Sequence, residues 1–491
     1  MKKLIPIIAL GCAALTVGAG VLGYFAYSWI NPPKESAPPL RTGDVRGKVL
    51  TDSGAMTATG IIVRDEEGNT QRYTTNAWGG YELSLYPGDY TLTFTKGYEF
   101  DTVVKQISVQ QDKTYYMTDV RLVQLYDSYS EHWIAGDLHQ HTYYSDGSDS
   151  VLSLALSDAS VGLYYGFLSD HNSARGLAEW YGLRHLNTLT DEDGNDRMFT
   201  PCEAVEITTE FGHFQALGTS TVLDRYDVEL YPEERNAENK DEIIMDRIRY
   251  IAECIKLDGG VAQINRPYSV STMGFNYWEL ADLFDTVEIW NGVFNPGDGR
   301  YENETGYQSQ NYKSKLKWYE LINEGLYLPA TGGTDMHNTS GPGLIEDIAL
   351  ITPENYQSYY TNGGVYSGMP TTYLYLEGEI DQESVLNAVR QGNSFLSNGP
   401  VVNCSVGGVV YGQTSAQTGE IAIDTEIFCR DGIESIQIVK NGEAELTVPT
   451  GNCTLYSEPI RLVVEAGDWI VIEVFGKGAQ YAITNPIFFE K

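Results

Sequence analysis

Between residues 131 and 395 the chain alternates two hydrophobic rhythms, and this alternation limits its fold more than any other feature. Short apolar runs such as "YYGFL", "AVEITT", "VAQIN" and "TVEIWN" have the length and β-branched content of strands. Between them lie "SVLSLALSDASVGL", "KDEIIMDRIRYIAECIKLDGG" and "KSKLKWYELINEG", whose apolar residues recur at helical spacing. Strands separated by helices cannot pair as hairpins, so the pattern predicts βα units around a mainly parallel sheet or barrel.

Both flanks read differently. Residues 44–126 carry period-two runs broken by glycine, including "GIIVRDEEGN" and "GGYELSLYPGDYTLTFTKGYEF", which predict a small β-sandwich. Beyond "ESVLNAVRQGNS" the β rhythm returns, so we expect the barrel over 131–398 and a second all-β domain over 399–491. At the N-terminus Lys2 and Lys3 precede an uncharged run from Leu4 to Ile30, longer than the about 20 residues that span a bilayer. The basic flank keeps the start cytoplasmic and places the rest outside. Residues 1–30 are therefore expected to be a transmembrane anchor, with a cleaved signal or a lipoprotein site at Cys12 as alternatives, and proline-rich residues 31–43 a linker.

The balance of 67 acidic against 32 basic residues gives a formal charge of −35, which argues against a nucleic-acid polymer as partner. The six cysteines never fall as CxxC, which excludes a zinc knuckle and a disulfide-dense scaffold. Cys404, Cys429 and Cys453 leave room for one disulfide.

Histidine is scarce, with seven in the chain, and five of them fall where apolar runs end. "WIAGDLHQHT" runs into His139 and His141, two apart and so on one side of an extended segment. "YGFLSDHN" ends in Asp170 and His171, "AVEITTEFGHFQALG" holds Glu206 and His213, and "LPATGGTDMHN" closes on Asp335 and His337. Imidazoles and carboxylates gathered at strand ends of one domain point to a metal site at the barrel mouth, where the loops converge. His132 and His185 lack this context and are expected to be structural or surface residues.

The stretches "DLHQHTYYSDG", "LSDHN", "VEITTEFGHFQALG", "INRP" and "TGGTDMH" together resemble the PHP (polymerase and histidinol phosphatase) metallohydrolases. "GNSFLSNGP" and the terminal "ITNPIFF" are similar to the carbaryl-hydrolase-like branch. "GKVLTDSG" and "TTNAWGGYELSLYPGDYTLTF" resemble the carboxypeptidase-regulatory-like β modules. The resemblance implies a distorted (β/α)7 barrel, flanked by an N-terminal and a C-terminal β-sandwich, with up to three metals at the strand ends. One metal would take His139, His141, Asp335 and a bridging Glu206. A second would take Asp146, His171 and His337. A third would take Glu206, His213 and a histidine that the family places before proline, where this chain has Asn265-Arg266-Pro267.

Arginine only donates, so Arg266 cannot replace that ligand. Two metals rather than three are expected, of Zn, Mn or Fe type given imidazole and carboxylate donors. Arg266 then either binds an anionic substrate group or forms a salt bridge to Glu206 or another acid nearby. Asp170 and Asp137 are expected to orient imidazoles, and His213 or Asn291 to contact substrate. The resulting expectation is an extracytoplasmic hydrolase using metal-activated hydroxide, with a small-molecule or cell-envelope phosphoester favoured. A carboxylic ester or carbamate hydrolase and a degenerate cell-surface binding protein are the alternatives.

Overall fold

The structure is a computed structural model that describes residues 41–52, 54–55, 57–191, 193–221, 229–269, 274–299, 306–340 and 367–490. The expected anchor and most of the linker lie outside the described residues, and no described helix is long and apolar enough to cross a membrane.

Residues 43–122 form two four-stranded sheets. One holds β1 (Gly43–Thr51), β4 (Gly80–Leu85), β7 (Thr114–Tyr116) and β8 (Val120–Leu122). The other holds β2 (Gly60–Asp65), β3 (Thr70–Thr74), β5 (Gly88–Thr95) and β6 (Thr102–Val109). Period two sends Val45, Val49, Leu83 and Leu85 from the first, and Ile61, Val63, Leu92 and Phe94 from the second, into one buried cluster.

The central sheet begins with β9 (Trp133–Asp137) and β10 (Tyr165–Leu168), followed by a side hairpin of β11 (Asn187–Thr190) and β12 (Asp196–Met198). It continues with β13 (Thr200–Thr209), β14 (Gly212–Leu217), β15 (Val261–Asn265), β16 (Thr286–Asn291), β17 (Ala330–Gly333) and β18 (Thr371–Tyr375). Every residue of β9, β10, β15, β16 and β17 is buried, as expected of strands covered on both faces. Strands β9, β10, β13, β15, β16 and β17 all run one way. Helices α1 (Val151–Ser160), α2 (Leu177–Tyr181), α3 (Lys240–Leu257) and α4 (Tyr307–Asn323) fall between them. In α3 the residues Ile244, Ile248, Ile251, Ala252 and Ile255 make the buried stripe that its spacing predicts.

The strict (β/α)7 repeat is not followed. Strand β14 runs antiparallel to β13 and β15 because "TEFGH" leaves only Glu210 and Phe211 between the strands, too few for a helix. Among its described residues the link from β15 to β16 carries one 3-10 helix, Trp278–Leu283, and β18 pairs antiparallel with β9. The result is a mixed, strongly curved sheet whose ends meet at Thr372. Its hydroxyl donates to Gly332 O at 2.7 Å and accepts from Gly332 N at 3.2 Å.

The expected boundary at 398/399 is crossed by sheet hydrogen bonds. After α5 (Gln382–Gln391), β19 (Ser394–Ser397) pairs with β18 on one side and with β22 (Tyr481–Thr484) on the other. From β22 the pairing passes to β21 (Trp469–Gly476) and then to the long β20 (Gly419–Lys440). Trp469, Val471, Tyr481 and Ile483 join Trp290 and Leu396 in one apolar cluster. Lys315 of α4 pairs with buried Glu473 of β21 at 2.9 Å, and Tyr319 donates to the same carboxylate at 2.7 Å. Cys404, Cys429 and Cys453 are all free thiols, so the disulfide that the sequence left room for does not form.

Lys96, directly after β5, ties the N-terminal sheets to the centre. Its fully buried ammonium donates to Ala58 O at 2.9 Å, Ala159 O at 2.8 Å and Thr188 O at 2.8 Å, which belong to three separate segments. Burial pulls its pKa down to about 7, and three carbonyl acceptors are what keep a charge there at all. The unfolded chain therefore binds one more proton than the folded chain between pH 7 and the ordinary lysine value of about 10.4, and stability rises with pH across that window. Urea denaturation between pH 7 and pH 10 is expected to show this rise. Lys96→Met is expected to make the slope shallower and to lower stability by roughly 3 kcal/mol, because three buried carbonyls lose their donor.

Candidate metal centre

Backbone pairing beyond the strand ends assembles the site. After β9, Gln140 bridges to Met336 beyond β17, with His141 N donating to Met336 O at 3.0 Å and Asp335 N to His139 O at 2.9 Å. This sets the His139/His141 pair against the Asp335/His337 pair. Gly333 makes the approach feasible: a Cβ there would lie 2.3 Å from the Cβ of His139. Beyond β10, His171 bridges to Glu206 on β13. The β13–β14 register then places Thr208 opposite His213, and His213 opposite Asn265 of β15, so Arg266 follows directly.

All eight expected ligands fall into three overlapping groups whose donor atoms lie within 4.8 Å of one another. The first is His139, His141, Glu206 and Asp335, the second His141, Asp146, His171 and His337, and the third His171, Glu206 and His213. In the first, His139 Nε2 lies 3.3 Å from both Glu206 Oε2 and Asp335 Oδ1, and His141 Nε2 lies 2.9 Å from Asp335 Oδ1. In the second, Asp146 lies 3.5 Å from His171 Nε2 and 3.0 Å from His337 Nε2, and it is 57% exposed, so it forms the rim.

His139 decides what this arrangement needs. Its Nδ1 lies 2.9 Å from Glu288 Oε1, a carboxylate that only accepts, so Nδ1 carries a proton. Nε2 faces Glu206 Oε2 at 3.3 Å, and His171 Nδ1 lies 2.7 Å from the same oxygen. Against its burial, Glu206, Asp335 and Glu288 raise the pKa of His139 well above the ordinary value, so Nε2 is satisfied either by a proton or, with its lone pair free, by a cation between it and Glu206. A carboxylate–histidine pair behind such a lone pair is the usual way of presenting imidazole to a metal. The donor set therefore fits a divalent ion.

The electrostatics follow the same division. Burial alone would raise the pKa of Glu206, but His139, Arg266 and His213 hold it well below the usual carboxylate range. Asp335 is likewise held low against its burial by Arg266, His139 and His141. Burial pushes His141 down to about 4, which leaves the imidazole neutral.

Arg266 closes one side of the site. Its Nη1 is 2.9 Å from Asp335 Oδ2, and its Nη2 is 2.6 Å from His213 Nδ1 and 3.7 Å from Glu206 Oε1. His213 Nδ1 also lies 2.9 Å from Glu206 Oε1, so it sits between a guanidinium that only donates and a carboxylate that only accepts. Arg266 and Asp335 both adopt left-handed backbone, with φ of 42° and 52°, as functional strand ends often do.

Several expected roles change. Asp170 does not orient an imidazole: it accepts from Thr142 N at 2.8 Å, Thr142 Oγ1 at 2.7 Å and Ser145 Oγ at 2.7 Å, which anchors the Asp146 loop. Asp137 accepts from Thr334 and the backbone of His139, so it fixes main chain. Asn291 donates to Glu288 at 3.2 Å. His132 and His185 are exposed, and His132 packs edge-on against Tyr375. Glu288 is the residue that the motif reading missed. Besides His139, it accepts from Arg266 N at 3.1 Å, so one buried acid positions both a candidate ligand and the arginine.

No family model and no curated protein sequence matches the chain. Solved structures similar to it include a two-domain protein from Bacteroides vulgatus containing a predicted PHP-like metal-dependent phosphoesterase, at 13% identity and TM-score 0.34, covering 73% of this chain and 95% of that one. Another is an amidohydrolase from Chromobacterium violaceum with bound sulfate and no metal, at 14% identity and TM-score 0.27, covering 41% and 87%. A lesion-specific endonuclease from Pyrococcus furiosus shares 12% identity at TM-score 0.30, covering 52% and 56%. Alignments with scores this low fix neither fold nor chemistry for this chain, which rest on the geometry above.

Glu288→Gln is expected to weaken metal affinity by about tenfold to hundredfold, read by competition with a chelator. Gly333→Ala is expected to do the same by displacing His139.

Proposed function

We propose that this chain is an extracytoplasmic metal-dependent hydrolase of the PHP type, held to a membrane by residues 1–30, and that it cleaves a small phosphoester. The carrying observation is the facing pair of buried atoms, His139 Nε2 and Glu206 Oε2, with Glu288 behind the imidazole. Two divalent ions of Zn, Mn or Fe type are the cofactors on this reading. His139, His141, Glu206 and Asp335 would hold one, and Asp146, His171 and His337, with a share in His141, the other. Bound there, the ions would supply a nucleophilic hydroxide near neutral pH and neutralise charge on the ester.

The chain's own residues set the rest. Glu288 fixes the tautomer of His139. Arg266 takes the place beside Glu206 and His213 that a third ion would need, with its Nη2 2.6 Å from His213 Nδ1 and 3.7 Å from Glu206 Oε1. Its side chain keeps 19% exposure, enough to present a fixed positive charge to an anionic ester while Asp335 anchors it. The uncharged run from Leu4 to Ile30 behind Lys2 and Lys3 supports the location.

Elemental analysis of the intact chain is expected to give two tightly bound divalent metals, and fewer than one overturns the reading. In a panel of phosphomonoesters, phosphodiesters and carboxylic esters with Mn or Zn, only phosphoesters are expected to turn over, with His139→Ala as the blank. Arg266→His is expected to add one metal. Arg266→Ala is expected to raise KM for anionic esters by about tenfold to hundredfold, the size of a lost charged hydrogen bond.

A further inference from the structure

The residue between two of the candidate ligands is itself polar and fully buried. His139 and His141 flank Gln140, and neighbours in an extended segment point to opposite faces. The glutamine side chain therefore runs away from the metal centre, into the protein behind it. Positions behind a strand end are ordinarily apolar, and a carboxamide buried there needs partners.

Two segments hold the backbone of this residue. Gln140 N donates to Ser169 Oγ at 3.0 Å, and Gln140 O accepts from Ser169 N and Ser169 Oγ, each at 3.0 Å. Met336 forms the bridge already described. These bonds fix where the segment runs. They leave to the side chain the tilt of the pleat, and with it the direction of both imidazoles, whose ring centroids lie 5.1 Å apart.

Gln140 Nε2 donates to Asp158 Oδ1 of α1 at 2.9 Å, and the same amide faces Asp137. Asp158 Oδ1 also takes Ser367 Oγ at 2.5 Å, and that hydroxyl, just before β18, lies 3.0 Å from Ser157 Oγ. Gln140, Asp158 and Ser367 are each at most 1% exposed. Two oxygens of this trio, Asp158 Oδ2 and Gln140 Oε1, are buried without a hydrogen-bond partner among the described residues. A Cβ at Gly166 would meet Phe199, Asp158 Oδ2 and Trp180 at 3.0, 3.1 and 3.1 Å, so Oδ2 sits among aromatic carbons. Burial, with Asp137 nearby, pushes the Asp158 carboxyl well above the usual carboxylate range, which makes it a neutral acid. Orphaned oxygens weaken a core relative to an apolar filling of the same shape. What the trio aims explains it better than what it stabilises.

Resting on the metal-dependent reading above, we propose that Gln140 is a positioning residue for the metal centre. Its hydrogen bond to Asp158, backed by Ser367, sets the direction in which His139 and His141 present their rings.

The test titrates Co2+ alone into the intact metal-free chain, because its visible absorption bands report ligand geometry as well as affinity. Circular dichroism checks the folding of each variant. Gln140→Leu and Asp158→Ala are expected to weaken Co2+ binding by about tenfold to hundredfold and, at saturation, to show shifted bands. Asp158→Asn keeps an uncharged carbonyl oxygen for both donors and is expected to match the parent chain in affinity and bands. Ser367→Ala, the smallest change, is expected to fold and to shift the bands in the same direction by less. The positioning role is overturned if folded Gln140→Leu or Asp158→Ala saturates with the parent bands, because the trio then only fills the core. If neither of them folds, unaltered bands in Ser367→Ala overturn it in the same way. It falls equally if Asp158→Asn behaves like Asp158→Ala. A parent chain that binds no Co2+ overturns the metal reading itself, and this role with it.

Discussion

Everything at the strand ends follows from two buried groups that have been aimed at each other. His139 cannot turn Nδ1 toward Glu206 because Glu288 holds that nitrogen from behind. In water such a pair would be solvated apart; inside a closed sheet it persists only if a positive charge is supplied. Arg266 supplies part of it, at one flank, through Asp335 and Glu206. The remaining donor atoms of His139, His141 and Glu206 lie where a further cation could be held.

The fold brings these groups together through pairings that are long in sequence and short in space. Gln140 meets Met336, and His171 meets Glu206, each by a single backbone bridge beyond a strand. The hairpin β13–β14 has a different role. By returning at once, it lines up Glu206, His213 and Asn265 on adjacent strands, so the acid that joins two ligand groups is held from both sides. A helix in that position would have carried His213 away.

Much of this site was legible because histidines at the ends of apolar runs have few other reasons to recur. Glu288 was not, although its signal was present: Val-Glu-Ile occurs at 205–207 and again at 287–289, an acid inside an otherwise apolar strand. One copy sat near histidines and drew notice, while the other looked like ordinary strand text. Lys96 escaped for a related reason, since a lysine beside a glycine reads as solvated until three distant carbonyls converge on it. The (β/α)7 expectation failed at "TEFGH", where the residue count alone forbids a helix. The pairing of β19 with β22 was beyond reach, because nothing local encodes a partner more than eighty residues away.

That last pairing makes the two halves mechanically one object. With β19 bonded on both sides, the curved central sheet and the C-terminal strands share backbone hydrogen bonds rather than merely touching. Cutting after residue 398 would strip β19 of its partner and present a bare row of amides and carbonyls, the kind of edge that recruits other chains. The C-terminal strands therefore cover an edge that would otherwise invite pairing, and the half that holds the candidate metal centre is tied to them by backbone hydrogen bonds.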